Sequence, residues 1–262
     1  MYATSEILYN FNSLLIVSIL FLLILVTNEI GYRLGSHFYQ LPNNDIKSQT
    51  NSIQGGMLGL LALLLGFTFS IALERYNKRS ETVIEEANAI GTTLLRTRLL
   101  PPPFDSEAAT MLHKYIDLRV DAAKIDLSDS EDRNKLGKIT DNLQDQIWET
   151  TMQAAKKEPN PVTTGLFIST LNDMIDARST RNAYLQLHVP EVILFLLFVV
   201  FITSGGLIGY ASGLGKNRNF IPTLLMTFLI NLVVFIIIDL DRPRRGLIRV
   251  NKDSIKELQE MK

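Results

Sequence analysis

The sequence predicts an all-α membrane protein: four transmembrane helices with a cytoplasmic helical bundle, the second span extended as a long helix. Three observations predict it. The 262 residues are 47% hydrophobic and 20% charged, but the apolar ones gather in four blocks. Three of these, 55–73, 192–210 and 220–238, contain no Lys, Arg, Asp or Glu. At about 19 residues each they are long enough to cross a ~30 Å hydrocarbon core. The polar segment between the second and third blocks carries apolar residues at helical spacing and shows no strand alternation.

Taken in order, the first span covers 8–34. Only Asn10, Asn12, Ser13 and Thr27 interrupt the ends of its core. "MYATSEILYN" has no basic region and no small-residue cleavage site follows Val26, so the block reads as a span rather than a cleaved leader. The second span, 53–73, runs on without a breaker, with Val83, Ala87, Ile90 and Leu94 at helical spacing, until Pro101, Pro102 and Pro103 stop it. It opens a cytoplasmic helical domain over 74–187. There Phe104, Ala108, Met111, Tyr115, Leu118, Ala122 and Ile125 form one stripe. "DLSDSED" makes a turn in which Ser128 or Ser130 can cap the next helix. Leu136, Ile139, Leu143 and Ile147 form a second stripe that ends before Pro159 and Pro161. A last helix runs from about Val162 toward Pro190. Spans three and four cover 189–211 and 219–240, and 241–262 is a cytoplasmic tail.

Four spans put both termini and the middle domain on one side. Near the membrane that side carries Arg75, Lys78, Arg79, Arg178, Arg181, Arg242, Arg244, Arg245, Arg249 and Lys252, against Arg33, Lys47, Lys216 and Arg218 opposite. The positive-inside rule places the richer side, with the N- and C-termini, in the cytoplasm. The basic-free first ten residues pull the other way, but the cluster after the fourth span is denser and sits at a membrane exit.

A net charge of −1 gives no case for nucleic acid. With no cysteine, disulfides, thiolate catalysis and cysteine zinc sites are excluded. His37, His113 and His188 lie far apart, so no metal site or cofactor is expected. No span carries a Ser/His pair or paired carboxylates, and no enzyme is expected. Asn231, deep in the fourth span, is expected to hydrogen-bond another helix.

Three features bear on function. In the second span Gly55, Gly59, Ala62, Gly66 and Ser70 recur at steps of three and four. This bare face is either a close-packing seam or, in an oligomer, the lining of an axial path with Phe67 or Phe69 at a constriction. Further along, Glu85, Asn88 and Thr92, with Glu86 and Arg96, form a polar file. The file is either a solvated face or part of a buried Glu–Arg network. Finally, "IIIDLDRPRRG" places Asp239 and Asp241 at a membrane edge. An ordinary basic stop explains Arg242 but not the aspartates. A charge cluster with Arg75 and Arg79 at the end of the second span accounts for both, because an unpaired charge at low dielectric is costly.

The stretches "EANAIGT" and "DLDRPRRG", within a match over most of the chain, resemble the bacterial bestrophin-like domain family, itself distantly similar to bestrophin ion channels. The resemblance implies an oligomeric channel, a pentamer on the bestrophin pattern, of the bacterial inner (plasma) membrane, its pore lined by the second helix and inorganic ions its cargo. Its aromatic neck motif and acidic calcium clasp are not found here, so calcium gating is not carried over. The lipid bilayer and further copies of the chain are the expected partners. The other reading is a membrane-anchored interaction or sensory module without a conduction pathway.

Overall fold

The computed structural model describes residues 8, 11–37, 44–125, 130–215, 220–242, 247–248, 250–251 and 253–261. Among them every regular element is helical: α1 (Ser13–His37), α2 (Asn44–Arg96), α3 (Phe104–Lys124), α4 (Ser130–Lys157), α5 (Thr164–Gln186), α6 (Glu191–Leu214), α7 (Phe220–Asp241) and α8 (Asp253–Glu257). Short 3-10 turns follow α2 at Thr97–Leu99 and α8 at Leu258–Met261. Four helical runs are long and apolar enough to span a membrane: Ser13–His37, Asp45–Leu99, Thr164–Leu214 and Phe220–Asp241. Ser128, a candidate helix cap, and Lys216, Arg218, Arg244, Arg245, Arg249 and Lys252, counted in the charge bias across the membrane, lie outside the described residues.

Both helices of the first hairpin overrun their apolar windows. α1 reaches His37 and α2 begins at Asn44, beyond the spans read from the sequence over 8–34 and 53–73. Hydropathy marks only the part of a helix that lipid covers. Polar turns beyond it keep the same backbone bonding and leave no signal in an apolar window.

The chain divides into two compact units. The first comprises Met1–Glu74 and His188–Arg242. Its core joins Ile16, Leu20 and Ile24 of α1, Leu61 of α2, Leu197, Val200 and Phe201 of α6, and Val234 and Ile238 of α7. α1 and α6 run parallel, and their backbones approach through glycines. A Cβ added at Gly31, Gly35, Gly209 or Gly213 would fall under 3.0 Å from backbone atoms of the facing helix. Polar bonds cross the same seam, from Thr27 Oγ1 to the Ile202 carbonyl (3.0 Å) and from Asn28 Nδ2 to the Gly205 carbonyl (3.1 Å). Lipid offers no hydrophobic drive between helices, so close van der Waals contact and such bonds hold this pair.

The second unit comprises Arg75–Leu187 and Pro243–Lys262. Val83, Ala87 and Ile90 of α2 meet Leu112, Tyr115 and Ile116 of α3, Leu143 and Ile147 of α4, and Phe167, Leu171 and Met174 of α5. The described part of the C-terminal tail belongs to this core. Ile255 and Leu258 are buried in it, and Gln259 donates to Asp117 at 3.0 Å.

Candidate functional site

In its membrane half α2 buries one narrow face, at Leu61, Thr68 and Ala72. At about 100° per residue, the file of Gly55, Gly59, Ala62, Gly66 and Ser70 lies roughly opposite. All five are exposed, and a Cβ at Gly55, Gly59 or Gly66 would meet nothing within 4 Å. Among the described residues, the bare face is therefore no seam inside the protomer. Phe67, 61% exposed, lies about 100° away from the centre of that file, on another flank of the helix.

In the second unit the polar file divides. Glu85, Asn88 and Thr92 share one exposed face of α2. Arg96, at its end, is half-buried and donates to the Leu166 carbonyl at 3.1 Å. Glu86 is turned about 100° from Glu85 and is fully buried. One of its oxygens accepts from Arg119 Nε at 2.6 Å and the other from Arg181. Burial by itself pushes the Glu86 carboxyl up, but the two guanidiniums outweigh it and hold the group below its ordinary range. Beside the pair, burial pushes the Tyr115 phenol up to about 12.

Asp241, Arg242 and Arg79 each bond groups of their own unit. Asp241 accepts the Val189 N–H at 3.0 Å on each oxygen, with His188 Nδ1 at 3.7 Å. It thus sits just before the N-terminus of α6, where a carboxylate also complements the helix dipole. Arg242 donates to the Leu8 carbonyl at 2.6 Å and to that of Phe11, and Leu8 N–H donates to Glu191 at 2.6 Å. These bonds gather the chain before α1, the start of α6 and the end of α7 at one end of the membrane unit. Asp239 is buried at the same end of α7. In the other unit Arg79 is buried and donates to the Tyr184 carbonyl at 3.2 Å and to that of Leu187 at 2.5 Å. Arg75 is half-buried, its Nε without a partner. Asp241→Ala, which strips the Val189 amide of its acceptor, is expected to cost about 1–3 kcal/mol, read as a lower melting midpoint in detergent.

Sequence reading missed the α1–α6 seam, although "GGLIGYASG" and Gly31–Gly35 carry the same small-residue signal as α2. It also missed Arg119, whose role depends on a fold contact rather than on spacing. Asn231 donates to the Thr227 carbonyl of its own helix at 2.9 Å, and its Oδ1 is buried without a partner. No group of three or more His, Asp or Glu arranged for a metal occurs among the described residues.

Four membrane-spanning helices and a helical unit continuous with the second of them define an all-α integral membrane protein. The chain belongs to the bestrophin-like family, whose bestrophin-like domain matches residues 34–255. Two point variants of a bacterial bestrophin homologue from Klebsiella pneumoniae have the same fold. Their TM-scores are 0.69 and 0.68 at 15% identity, covering 94% and 96% of this chain and 96% and 97% of theirs. A further crystal structure, of a membrane protein, gives 0.63 at 15% identity over 94% of this chain and 96% of its own. No curated protein sequence matches the chain.

Proposed function

We propose that copies of this chain assemble into a ring, a pentamer on the bestrophin pattern, in the bacterial plasma membrane with both termini cytoplasmic. In this assembly α2 of each copy faces the axis and lines an ion-conducting path. The observation that carries this reading is the unpartnered small face of α2. Glycines that pack inside the protomer meet backbone under 3.0 Å, whereas Gly55, Gly59 and Gly66 meet nothing within 4 Å. A helix stripped to its backbone on a face the protomer leaves open suits a path that must admit an ion or a neighbouring copy.

The charges on α2 favour a cation. Arg79 and Glu86 are buried and bonded and exposed Lys78 is paired with Glu81, while Glu85 is exposed beside Asn88 and Thr92. A ring of Glu85 side chains raises local cation concentration and repels anions. Reconstituted protein is expected to pass Na⁺ or K⁺ in preference to Cl⁻, and Glu85→Gln to lower that preference severalfold while leaving the melting midpoint unchanged. A chain that stays monomeric or dimeric in mild detergent and passes none of these ions over a range of pH and voltage overturns the channel and leaves the membrane-anchored interaction module.

A further inference from the structure

We propose that Arg119 is a positioning residue for the exposed face of α2: with Arg181 it holds Glu86, and so fixes the rotation of the helix that presents Glu85. The two glutamates are consecutive and chemically alike, and about 100° of helix separates their side chains. Which of them meets water is therefore decided by how α2 is rolled against its neighbours. Val83, Ala87 and Ile90 turn one side of α2 to the core. Burial of such a stripe is non-directional and tolerates some roll, whereas hydrogen bonds fix an angle more closely.

Arg79, Thr93 and Arg96 donate to the carbonyls of Tyr184, Thr170 and Leu166 at 3.2, 2.9 and 3.1 Å, all on α5. Bonds to one neighbour make a line of attachment about which a helix can still roll. The Glu86 carboxylate supplies a tie across that line. One oxygen accepts from Arg119 Nε of α3 at 2.6 Å and the other from Arg181 of α5. Rolling α2 toward either helix draws the carboxylate away from the other. Arg119 serves as a fixed point because it follows Leu112, Tyr115 and Ile116 on the core face of α3 and is only 6% exposed. Its bond joins two charged groups, the stronger kind of hydrogen bond.

The consequence for ion preference rests on the channel reading; the register of α2 does not. The chain contains no cysteine, so an introduced thiol reports its own position alone. Ala87, 4% exposed, adjoins Glu86 on the core side, and Asn88 is exposed beside Glu85. In detergent, Asn88→Cys is expected to react with N-ethylmaleimide much faster than Ala87→Cys. Adding Arg119→Met is expected to narrow that ratio by at least about tenfold, the weight of a hydrogen bond to a charged group. Ala154→Cys, fully buried on α4, stays protected if α2 has rolled and is exposed if the unit has melted. Where Arg119→Met exposes it, the ratio is read in Arg119→Lys, which keeps the charge but not the planar fork and is expected to narrow it about threefold. An unchanged ratio with Ala154→Cys protected overturns the proposal. In reconstituted protein Arg119→Met is expected to lower the preference for K⁺ over Cl⁻ severalfold, and to add nothing in a Glu85→Gln background. An equal loss in both backgrounds overturns the action of Arg119 through Glu85. A narrowed thiol ratio in protein whose wild type passes no ions leaves the register standing and removes the channel alone.

Discussion

Gly209→Ala is expected to keep α1 and α6 from seating, at a cost of about 3 kcal/mol, the upper end of what overpacking exacts. The new methyl would fall under 3.0 Å from the Asn28 backbone, and three Asn28 atoms would crowd it. Alanine has no rotamer to turn, and backbone on the other side cannot yield locally, so the helices must separate. Separation also weakens the neighbouring contacts at Gly31, Gly35 and Gly213 and stretches the Asn28–Gly205 and Thr27–Ile202 bonds. Dispersion falls steeply with distance, and it is the main attraction between helices in lipid. The measurement is folded yield and melting midpoint in mild detergent. Gly59→Ala, where the methyl meets open space, is the matched control and is expected to melt with the wild type. If Gly209→Ala melts there too, the α1–α6 seam is not as close as described.

The contrast between those glycines shows what spacing can and cannot say. Small residues at steps of three and four announce that something comes near the backbone, because nothing else in a span favours losing side-chain contact. They do not name the neighbour. The 55–70 file and the glycines of α6 present the same pattern, yet one faces open space and the other a helix of its own chain. The spans themselves were legible because lipid demands long charge-free windows, and the bundle because its apolar stripes repeat at helical spacing. The charged positions were legible only as positions. Glu85 and Glu86 are adjacent and chemically alike, and one residue of helical rotation separates an exposed carboxylate from a buried one. Asp241 was readable as a charge needing a partner, but the Val189 amide that supplies one carries no side-chain signature.

Glu86→Gln is expected to destabilise the second unit by about 3–5 kcal/mol, the range for breaking a buried ion pair by removing one member. The amide keeps one acceptor oxygen but no charge, so Arg119 and Arg181, both nearly inaccessible, are left without their shared counter-ion. The same pair predicts a pH dependence. Burial raises the Glu86 carboxyl, Arg119 and Arg181 reverse that and more, and the group is held below its ordinary 4.5. A carboxyl lowered on folding gives stability that is complete above 4.5 and is lost as pH falls from there through the folded value. Wild-type protein is therefore expected to lose melting midpoint steeply in acid, while Glu86→Gln starts lower and changes less over that window. The neighbouring phenol does not imitate this. Tyr115, pushed up to about 12, stays neutral throughout. A double-mutant cycle of Glu86→Gln with Arg119→Met separates the pair's coupling from the cost of each truncation. Coupling near zero, or acid profiles of wild type and Glu86→Gln that run parallel, would show that this carboxylate does not hold α2 to α3 and α5.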